Sequence, residues 1–347
     1  MRAAVLHENN VIKIEDIDQA RLKPGEVRIE MRAAGICGSD IHKMQTVWKY
    51  ELPAIIGHEF AGVVLEIGEG VENVAVGDRV VGIPFVPCKS CNYCQQGDYS
   101  LCDDYIMQGT HFYGAFAEET VLSADQVLPI GDMDFEDAAM LEPLAVAIHG
   151  VIGIEPKLGD TVVIFGCGTI GLLTIQCLFA AGVGKVIAVD INENKLQEAK
   201  ALGATRLINP LKEDLEEKVF EYTAGLGADI AFECAGSPIT QEQCLLVTKK
   251  KGKVAYQGIA YKDVTLKEKA FENIFRRELT LKGFWNSYTA PFPGREWFAG
   301  IELVNQGRIK LKELVSHRYT IEEAAEAFEM VTSGKESYSK VLILPKK

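Results

Sequence analysis

Residues 161–171 read T-V-V-I-F-G-C-G-T-I-G, an apolar run followed by a glycine-rich turn. The run Thr161–Phe165 has the length and composition of a buried strand, and the residues from Thr169 to Ala181 have the composition of a helix. Three glycines between a strand and a helix allow a tight turn, a close approach of the backbone to a phosphate and close helix–strand packing. The stretch therefore predicts the first strand–turn–helix unit of a dinucleotide-binding fold.

An acidic residue closes the next apolar run, K-V-I-A-V-D, at Asp190. A carboxylate at this point accepts hydrogen bonds from the adenosine ribose hydroxyls and repels a 2′-phosphate. Ile191 and Asn192 follow without an arginine, which favours NAD over NADP. A glycine turn in another kind of α/β protein is the alternative, but loop, strand and acid together favour the cofactor site. The predicted NAD-binding residues are Gly166, Gly168, Thr169, Ile170, Gly171, Asp190 and, as a further candidate at the ribose, Lys195.

From Gly159 onward, apolar runs alternate with helical segments, which is the pattern of a parallel sheet covered on both faces. Six strands in this rhythm predict an α/β, doubly wound parallel (Rossmann) sheet. The five further runs are K-V-I-A-V-D, Leu207–Asn209, A-D-I-A-F-E-C, G-K-V-A-Y-Q-G and L-T-L-K-G-F-W. The further helices are expected at Glu193–Leu202, Glu213–Tyr222, Thr240–Thr248 and Lys267–Arg277.

The first part of the chain has a different pattern, with short β-like runs separated by turns such as Pro24-Gly25 and Gly77-Asp78. Such runs predict an antiparallel barrel or sandwich up to about residue 140. After Trp285 the strand–helix rhythm ends. Helices near Trp297–Val304 and Ile321–Val331 and a last strand, K-V-L-I-L-P, are expected there, and we assign this tail to the first domain.

A thiol, an imidazole and a carboxylate occur close together in the first part. Cys37 lies in G-I-C-G-S-D-I-H, and His58 and Glu59 lie in G-H-E-F-A-G. Catalytic zinc sites use about three protein ligands and leave one position for water or substrate. We interpret the three residues as candidate ligands of one Zn²⁺. For Glu59, a structural carboxylate bonded to nearby backbone is the alternative.

Four further cysteines form C-x2-C-x2-C-x7-C in a turn-rich loop, at Cys88, Cys91, Cys94 and Cys102. Four thiolates suit a closed tetrahedral zinc that holds a loop in place. An iron–sulfur cluster is the alternative, but no fourth cysteine precedes a proline and no second cluster run exists. We therefore predict a structural zinc. The cysteines expected to be small buried apolar residues are Cys167, Cys177, Cys234 and Cys244.

The chain has 347 residues and a net charge of -13, with 48% hydrophobic and 24% charged residues. The acidic balance disfavours nucleic acid and anionic membranes as primary partners. The N-terminus has no long apolar core, and no apolar run approaches the ~20 residues of a membrane span. We expect a cytoplasmic protein, because cysteine clusters in a reducing compartment more often bind metal than form disulfides.

The motif G-H-E-x2-G-x5-G-x2-V from Gly57 to Val71, the four-cysteine loop and G-C-G-T-I-G together resemble the zinc-containing medium-chain dehydrogenase/reductase family. The resemblance covers essentially the whole chain. It implies a GroES-like β-barrel catalytic domain at 1–143 with a structural-zinc lobe at 86–104, an NAD-binding Rossmann domain at 144–287 and a return to the catalytic domain at 288–347. It also implies a homodimer or homotetramer, with the strand Leu279–Trp285 as a sheet-extending interface.

Within that family, C-G-S-D, Glu59 and E-P-L-A resemble the sorbitol and sugar-alcohol branch. Alcohol dehydrogenases proper have a cysteine where this chain has Glu142. The difference implies a more oxygen-rich metal site, with Glu142 as a fourth candidate ligand, directly or through water. Capping of the following helix is the alternative role of Glu142.

The stretch R-R-E-L-T-L-K-G-F-W-N-S-Y-T-A-P-F-P-G-R-E-W resembles the members of this branch that act on sugar-alcohol phosphates. The activity implied is hydride transfer to NAD from a secondary hydroxyl of a sugar alcohol or its phosphate. The best candidate is galactitol 1-phosphate, oxidised to a keto-sugar 6-phosphate such as tagatose 6-phosphate. The alternatives are another secondary-alcohol dehydrogenase (of sorbitol, xylitol, butanediol or L-threonine) and, less favoured because the metal ligands are present, a non-catalytic NAD-binding homologue.

The resemblance also implies a path for the proton that leaves the substrate. Ser39 corresponds to the relay hydroxyl of the family, and His42 to the residue that passes the proton toward solvent, for which an imidazole has a suitable pKa. Asp40 is expected to support His58 rather than to contact substrate. A surface histidine is the alternative for His42, and a hydroxyl bonded only within its own turn is the alternative for Ser39.

A sugar phosphate carries about two negative charges near pH 7. Because the chain is acidic overall, any phosphate pocket must be a local one. The basic candidates are Lys43, Lys49 and Arg295, and the residues expected to line the substrate site are Trp48, Tyr50, Trp285, Asn286 and Tyr288.

Overall fold

The computed structural model describes residues 1–46 and 51–345. The chain divides into one unit made of Met1–Glu142 with Tyr288–Lys347 and a second unit made of Pro143–Ser287. Three candidates for substrate binding, Trp48, Lys49 and Tyr50, lie outside the described residues.

The described N-terminal part is mainly strands, with three short α-helices and two 3-10 turns at Tyr99–Leu101 and Ala124–Gln126. The strands are β1 (Arg2–Glu8), β2 (Val11–Asp16), β3 (Glu26–Gly35), β4 (Ala54–Ile55), β5 (Glu59–Ile67), β6 (Arg79–Gly82), β7 (Phe85–Val86), β8 (Ile106–Met107), β9 (Glu119–Ser123) and β10 (Val127–Pro129). The helices are α1 (Gly38–Gln45), α2 (Asn92–Gln96) and α3 (Phe135–Ala139).

In the middle of the chain, helices alternate with strands. The helices are α4 (Leu141–Ile154), α5 (Thr169–Ala180), α6 (Glu193–Ala201), α7 (Leu215–Tyr222), α8 (Pro238–Val247) and α9 (Glu268–Arg276). The strands are β11 (Thr161–Phe165), β12 (Lys185–Val189), β13 (Arg206–Ile208), β14 (Ala228–Glu233), β15 (Thr248–Tyr256) and β16 (Thr280–Gly283). The C-terminal elements are α10 (Arg295–Asn305), β17 (Val315–Thr320), α11 (Ala324–Ser333) and β18 (Lys340–Leu344).

The first unit is built around a sheet whose path is β10-β6-β5-β3-β18-β17, with β9 also paired to β3. Its pairings are antiparallel except for β17 with β18. The long strand β3 alternates inward residues such as Val27, Ile29 and Met31, which are fully buried with Phe60 of β5. Because β18 pairs with β3, the C-terminal tail belongs to the core of this unit.

The second unit holds a six-stranded sheet in the order β13-β12-β11-β14-β15-β16. All neighbouring strands are parallel, so the predicted doubly wound sheet is confirmed. The strands are apolar over most of their length, as strands covered on both faces must be; Val163, Phe165 and Ile187 are fully buried. The strand order reverses between β11 and β14, and dinucleotides bind at the carboxyl ends of the strands at such a point.

Several helix ends differ from the sequence-based expectation because of capping. Helix α7 begins at Leu215 rather than Glu213, since the Asp214 side chain accepts a hydrogen bond from the Glu217 backbone N–H at 2.8 Å. Helix α8 begins at Pro238, before the expected Thr240, because Ser237 caps it and proline suits the first helical position. Within the described part of the chain, no helix is both long and apolar enough to cross a membrane.

Candidate active site and cofactor site

Cys37 lies between the end of β3 and the first residue of α1 and is the N-cap of that helix. The Cys37 backbone N–H donates to Oδ2 of Asp40 at 3.1 Å, and the Asp40 N–H donates to the Cys37 carbonyl at 3.0 Å. Asp40 thus closes the first turn, as the third residue of a capping box does. The turn holds the Cys37 thiol at the start of the helix.

His58 and Glu59 lie at the start of β5, which pairs with β3 so that Glu59 faces Gly35. Both side chains are buried. The candidate ligand atoms of Cys37, His58 and Glu59 lie within 4.8 Å of one another. A sulfur, a nitrogen and a carboxylate oxygen this close match the donor set that zinc accepts, so these residues fit the predicted metal.

Asp40 lies behind His58, with its Oδ1 3.4 Å from His58 Nδ1, and is itself fully buried. Burial opposes ionisation of Asp40, but the charges of His58 and Lys43 hold the pKa of that carboxyl well below its usual value. Burial likewise opposes the charged form of His58, but Asp40 raises the pKa of the imidazole well above its usual value. Because Asp40 approaches Nδ1, the ring nitrogen left for a metal is Nε2.

Glu59 has a second partner that the sequence-based interpretation missed. Oε2 of Glu59 forms an ion pair with Nζ of Lys340, the first residue of β18, and both side chains are almost fully buried. The available signal was the position of Lys340 at the start of the apolar run K-V-L-I-L, where a lysine is unusual unless it is paired.

Glu142 lies in the first turn of α4 and is 6% exposed. It does not join the close cluster of Cys37, His58 and Glu59. Burial, with the charge of Glu59, raises the pKa of Glu142 to about 7, against the opposing charges of His58 and Lys340. The charges of His58 and Glu59 therefore act on the Glu142 carboxyl, although Glu142 lies outside their close cluster.

Ser39 and His42 lie on α1, which Cys37 caps, and both are partly buried. The carbonyl of His42 accepts hydrogen bonds from the Thr46 backbone N–H at 3.1 Å and from its hydroxyl at 2.9 Å, which closes the end of the helix. Ser39 and His42 are thus held on the same helix as the candidate ligand.

The described candidates for substrate binding differ in their exposure and in their partners. Lys43 is not a free cation, since its Nζ donates to the Gly109 carbonyl at 3.0 Å and lies 3.5 Å from Asp40 Oδ1. Arg295 is exposed at the start of α10, and Trp285 is 46% exposed. Asn286 is partly buried.

Tyr288 is a core residue of its unit. Its ring stacks on Phe85 at 4.3 Å between centroids, and its backbone and Ser100 exchange hydrogen bonds. It is fully buried, and its ring also stacks on Trp297 at 6.1 Å between centroids.

The sulfur atoms of the four-cysteine loop also lie within 4.8 Å of one another. Cys88 Sγ is 3.9 Å from Cys94 Sγ, close to the roughly 3.8 Å edge that Zn–S bonds of about 2.3 Å give in a tetrahedron. Backbone N–H groups point at the sulfurs, for example Cys91 N–H at 3.3 Å from Cys88 Sγ and Cys88 N–H at 3.2 Å from Cys102 Sγ. The loop therefore fits the predicted structural zinc.

The glycine loop of the second unit has the geometry that phosphate binding needs. Gly166 has a φ of 89°, which favours glycine, and a side chain on Gly171 would overlap the Gly166 carbonyl. Gly168 caps α5, and a side chain there would meet no protein atom within 4 Å. The open space lies at the N-terminus of a 12-residue helix, where free N–H groups attract phosphate. Thr169 and Ile170 form the first turn of that helix.

Asp190 follows β12 and is bound by the glycine loop itself. Its Oδ2 accepts from the Cys167 backbone N–H at 2.7 Å and its Oδ1 from the Asn192 N–H at 2.8 Å. Lys195 on α6 is largely buried, with Nζ 3.5 Å from Glu198. Burial lowers the pKa of Lys195, and the charges of Glu198 and Asp190 oppose that effect. The glycine loop, Asp190 and Lys195 therefore lie close to one another.

A zinc-type donor set in a mainly antiparallel unit, a four-cysteine loop and a dinucleotide-binding sheet in one chain define the class of zinc-dependent dehydrogenases. Comparison with known proteins supports this class. The model of the alcohol dehydrogenase GroES-like domain matches residues 23–132, and that of the zinc-binding dehydrogenase domain matches residues 169–305.

Galactitol 1-phosphate 5-dehydrogenase of Escherichia coli K12 is 32% identical over 347 residues, covering 99% of this chain and 100% of the relative. Sorbitol dehydrogenase of Bacillus subtilis is 34% identical over 351 residues, covering 99% and 97%. The crystal structure of the E. coli galactitol-1-phosphate dehydrogenase superposes with a TM-score of 0.95 at 32% identity, covering 99% and 100%. The chain therefore belongs to the zinc-containing medium-chain dehydrogenase/reductase family. It is an oxidoreductase of the zinc-type alcohol and polyol dehydrogenases, which use zinc and NAD, and the expected combination of a GroES-like domain with a Rossmann sheet is confirmed.

Proposed function

We propose that this protein oxidises a secondary hydroxyl of a sugar alcohol or of its phosphate and transfers the hydride to NAD. Galactitol 1-phosphate, converted to a keto-sugar 6-phosphate such as tagatose 6-phosphate, is the first substrate to test. The observation that carries the proposal is the convergence of Cys37, His58 and Glu59 at one point, where His58 and Glu59 are buried and Cys37 is partly buried. A thiol sulfur, an imidazole nitrogen and a carboxylate oxygen within 4.8 Å of one another are a donor set that zinc accepts.

Each residue at this point has a role in the proposal. Cys37 and His58 hold the zinc, and Glu59 and Glu142 supply the oxygen ligands, Glu142 directly or through water. Bound zinc supplies a Lewis acid that lowers the pKa of the substrate hydroxyl. Asp40 fixes the orientation of the His58 ring through Nδ1. Cys88, Cys91, Cys94 and Cys102 hold the structural zinc.

The proton and the hydride leave the substrate by different routes. We assign Ser39 to accept the hydroxyl proton and His42 to pass it toward solvent. The hydride goes to the nicotinamide of NAD. Asp190 and Lys195 bind the adenosine ribose, and the glycine loop with Thr169 and Ile170 binds the pyrophosphate.

Two observations favour a phosphorylated polyol. The relative named as a galactitol 1-phosphate 5-dehydrogenase matches along its full length, and Arg295 is an exposed cation in the segment whose sequence suggested this substrate. Lys43 is a weaker candidate for the phosphate because Asp40 already pairs with it. The sorbitol dehydrogenase of similar identity makes sorbitol the second candidate substrate.

Initial rates of NAD reduction across galactitol 1-phosphate, galactitol, sorbitol, xylitol, butanediol and L-threonine test the proposal. We expect kcat/KM for galactitol 1-phosphate to exceed that for galactitol at least tenfold, and Arg295→Ala to reduce only the rate with the phosphate. Equal kcat/KM for the phosphate and the free polyol would reject phosphate recognition. No turnover with any of the polyols would reject the polyol assignment.

The proton path has its own test. His42→Ala and Ser39→Ala are expected to lower kcat at least tenfold and to change its pH profile, with zinc content unchanged. His42→Ala with full activity and the wild-type pH profile would remove His42 from the scheme.

We further propose a homodimer or homotetramer in the cytoplasm. The edge strand β16 has four exposed residues, which leaves it able to extend the sheet with a second copy. None of the nine cysteines, all of which the structure describes, forms a disulfide, as suits a reducing compartment. We retain residues 1–143 and 288–347 as the catalytic domain, with the structural-zinc lobe at 86–104, and 144–287 as the NAD domain. Light scattering of the purified protein tests the oligomeric state; a monomer would reject it.

A further inference from the structure

Glu233 is a fully buried carboxylate at the carboxyl end of the parallel sheet, where it is the last residue of β14. Strand β14 lies beside β11, whose end carries the glycine loop, at the point where the strand order reverses. Burying a carboxylate is costly unless hydrogen-bond donors surround it. The donors around Glu233 therefore indicate which parts of the chain it holds in place.

The donors come from the loop that follows β14 and from the helix after it. Oε1 of Glu233 accepts from the backbone N–H groups of Ala235 and Gly236, both at 3.0 Å. The hydroxyl of Thr240 on α8 donates to the same oxygen at 2.6 Å, and the Gly236 N–H also lies 3.3 Å from Oε2. Burial raises the pKa of Glu233, and these hydrogen bonds oppose that effect. The carboxylate therefore holds residues 234–237 together from the inside of the loop.

This loop lies directly against the first glycine of the cofactor loop. A side chain on Gly166 would come within 2.8 Å of the backbone N, Cα and Cβ of Ala235. The backbone N–H of Cys234 donates to the Phe165 carbonyl at 2.8 Å, one residue before Gly166. Residues 234–237 therefore form a wall beside the turn at Gly166, and Glu233 decides where that wall lies.

Glu233 also holds the segment at the end of the next strand, β15. The backbone N–H groups of Gln257 and Gly258 both donate to the Glu233 carbonyl at 2.9 Å. A side chain on Gly258 would overlap Oε2 of Glu233. One residue thus fixes the chain at the carboxyl ends of β14 and β15, which is the edge of the sheet where dinucleotides bind.

We propose that Glu233 is a positioning residue for NAD: its carboxylate holds residues 234–237 against Gly166, so that the phosphate-binding turn is already formed before the cofactor arrives. The inference rests on the proposed binding of the NAD pyrophosphate by the glycine loop. Glu233 itself does not contact the cofactor in this proposal. A site formed in advance binds more tightly, because less conformational freedom is lost when the cofactor binds.

The test is a fluorescence titration with NADH of wild type, Glu233→Gln, Thr240→Val and the double variant, with thermal unfolding in parallel. Glu233→Gln keeps the size of the side chain but places an NH2 group or an uncharged oxygen at each donor. We expect it to raise the Kd for NADH about tenfold or more, and Thr240→Val to raise it about threefold. The double variant should be no weaker than about twofold beyond Glu233→Gln, since both changes act through the same carboxylate.

Steady-state kinetics separate this role from a general loss of structure. In Glu233→Gln we expect the KM for NAD to rise with the Kd for NADH, while the KM for the polyol and kcat at saturating NAD stay within about threefold of wild type. Asp229→Asn is the matched control, because Asp229 lies near the other end of β14, where its Oδ2 accepts from the Thr161 N–H at 2.8 Å. It should leave the Kd for NADH unchanged.

A folded Glu233→Gln protein with the wild-type Kd for NADH would overturn the proposal, even if its melting temperature were lower, since the carboxylate would then serve stability alone. If Glu233→Gln does not fold, Thr240→Val decides, and a wild-type Kd in that variant or its failure to fold would also overturn the proposal. A wild-type protein that binds no NADH would instead reject the proposed function itself.

Discussion

Oδ1 of Asp40 lies 3.4 Å from Nδ1 of His58, and the same Asp40 side chain accepts a hydrogen bond from the Cys37 backbone N–H. One buried carboxylate therefore organises two of the three candidate zinc ligands, although the ligands come from separate segments of the chain. Groups that hydrogen-bond to metal ligands in this way orient the ligands and affect the affinity for the metal.

Asp40→Asn tests this arrangement. The variant keeps the shape of the side chain but removes the charge that faces His58, so we expect zinc affinity at the Cys37 site to fall about 10–100-fold. Competition with a chelator of known affinity measures it. Asp125→Asn, at an exposed pair with Lys89, should have no effect. Unchanged affinity in Asp40→Asn would show that Asp40 only caps α1.

Replacement by alanine should have different effects at two glycines of the cofactor loop. Gly171→Ala would overlap the Gly166 carbonyl, so we expect a loss of about 1–3 kcal/mol in the free energy of unfolding together with weaker NADH binding. Gly168→Ala meets no protein atom, so it should keep its thermal stability and still lose NADH affinity, because the methyl group fills the phosphate space. Thermal unfolding and NADH fluorescence titration separate the two. Equal NADH affinity in Gly168→Ala and wild type would contradict the assignment of the loop.

Asp190 should determine the preference for NAD. Asp190→Asn removes the charge that repels a 2′-phosphate, and we expect the ratio of kcat/KM for NAD to that for NADP to fall at least tenfold, about 1.4 kcal/mol. Asp229→Asn is a suitable control, since Asp229 accepts a hydrogen bond from the Thr161 N–H elsewhere in the same unit. An unchanged ratio would show that Asp190 serves only the loop amides.

The four-cysteine loop should hold its own zinc. Cys94→Ser is expected to lower zinc from about two to about one per chain and to lower the melting temperature, because a closed site contributes directly to folding. Cys177→Ala changes a buried cysteine of α5 and should retain both zinc ions. Iron rather than zinc in the purified protein, or two zinc ions in Cys94→Ser, would contradict the prediction.

The sheet of the second unit could be predicted because its information is local. Each strand is a short apolar run, and the glycine loop with Asp190 indicates which strand is first, so the six strands and their parallel direction could be predicted from the sequence. Helix starts were less accurate, since Asp214 and Ser237 decide them through single capping bonds. These capping residues are polar, so the pattern of apolar residues does not show where such a helix begins.

The surroundings of the candidate metal site could not be predicted in the same way. Cys37, His58 and Glu59 were recognisable from their residue types and motifs. Lys340 was not, because its pairing with Glu59 depends on β18 lying beside β3, a contact between the two ends of the chain. The packing of Tyr288 against Phe85 could not be predicted either, since burial of an aromatic ring depends on tertiary neighbours, and its place at the substrate site stays a prediction.

The number of zinc ions per folded chain in wild type and in Cys37→Ala, determined together with polyol-dependent NAD reduction, tests the central claim most directly. The account predicts about two zinc ions in wild type and about one in the variant, with NAD reduction abolished. Two zinc ions in a Cys37→Ala protein that still oxidises polyols would contradict it.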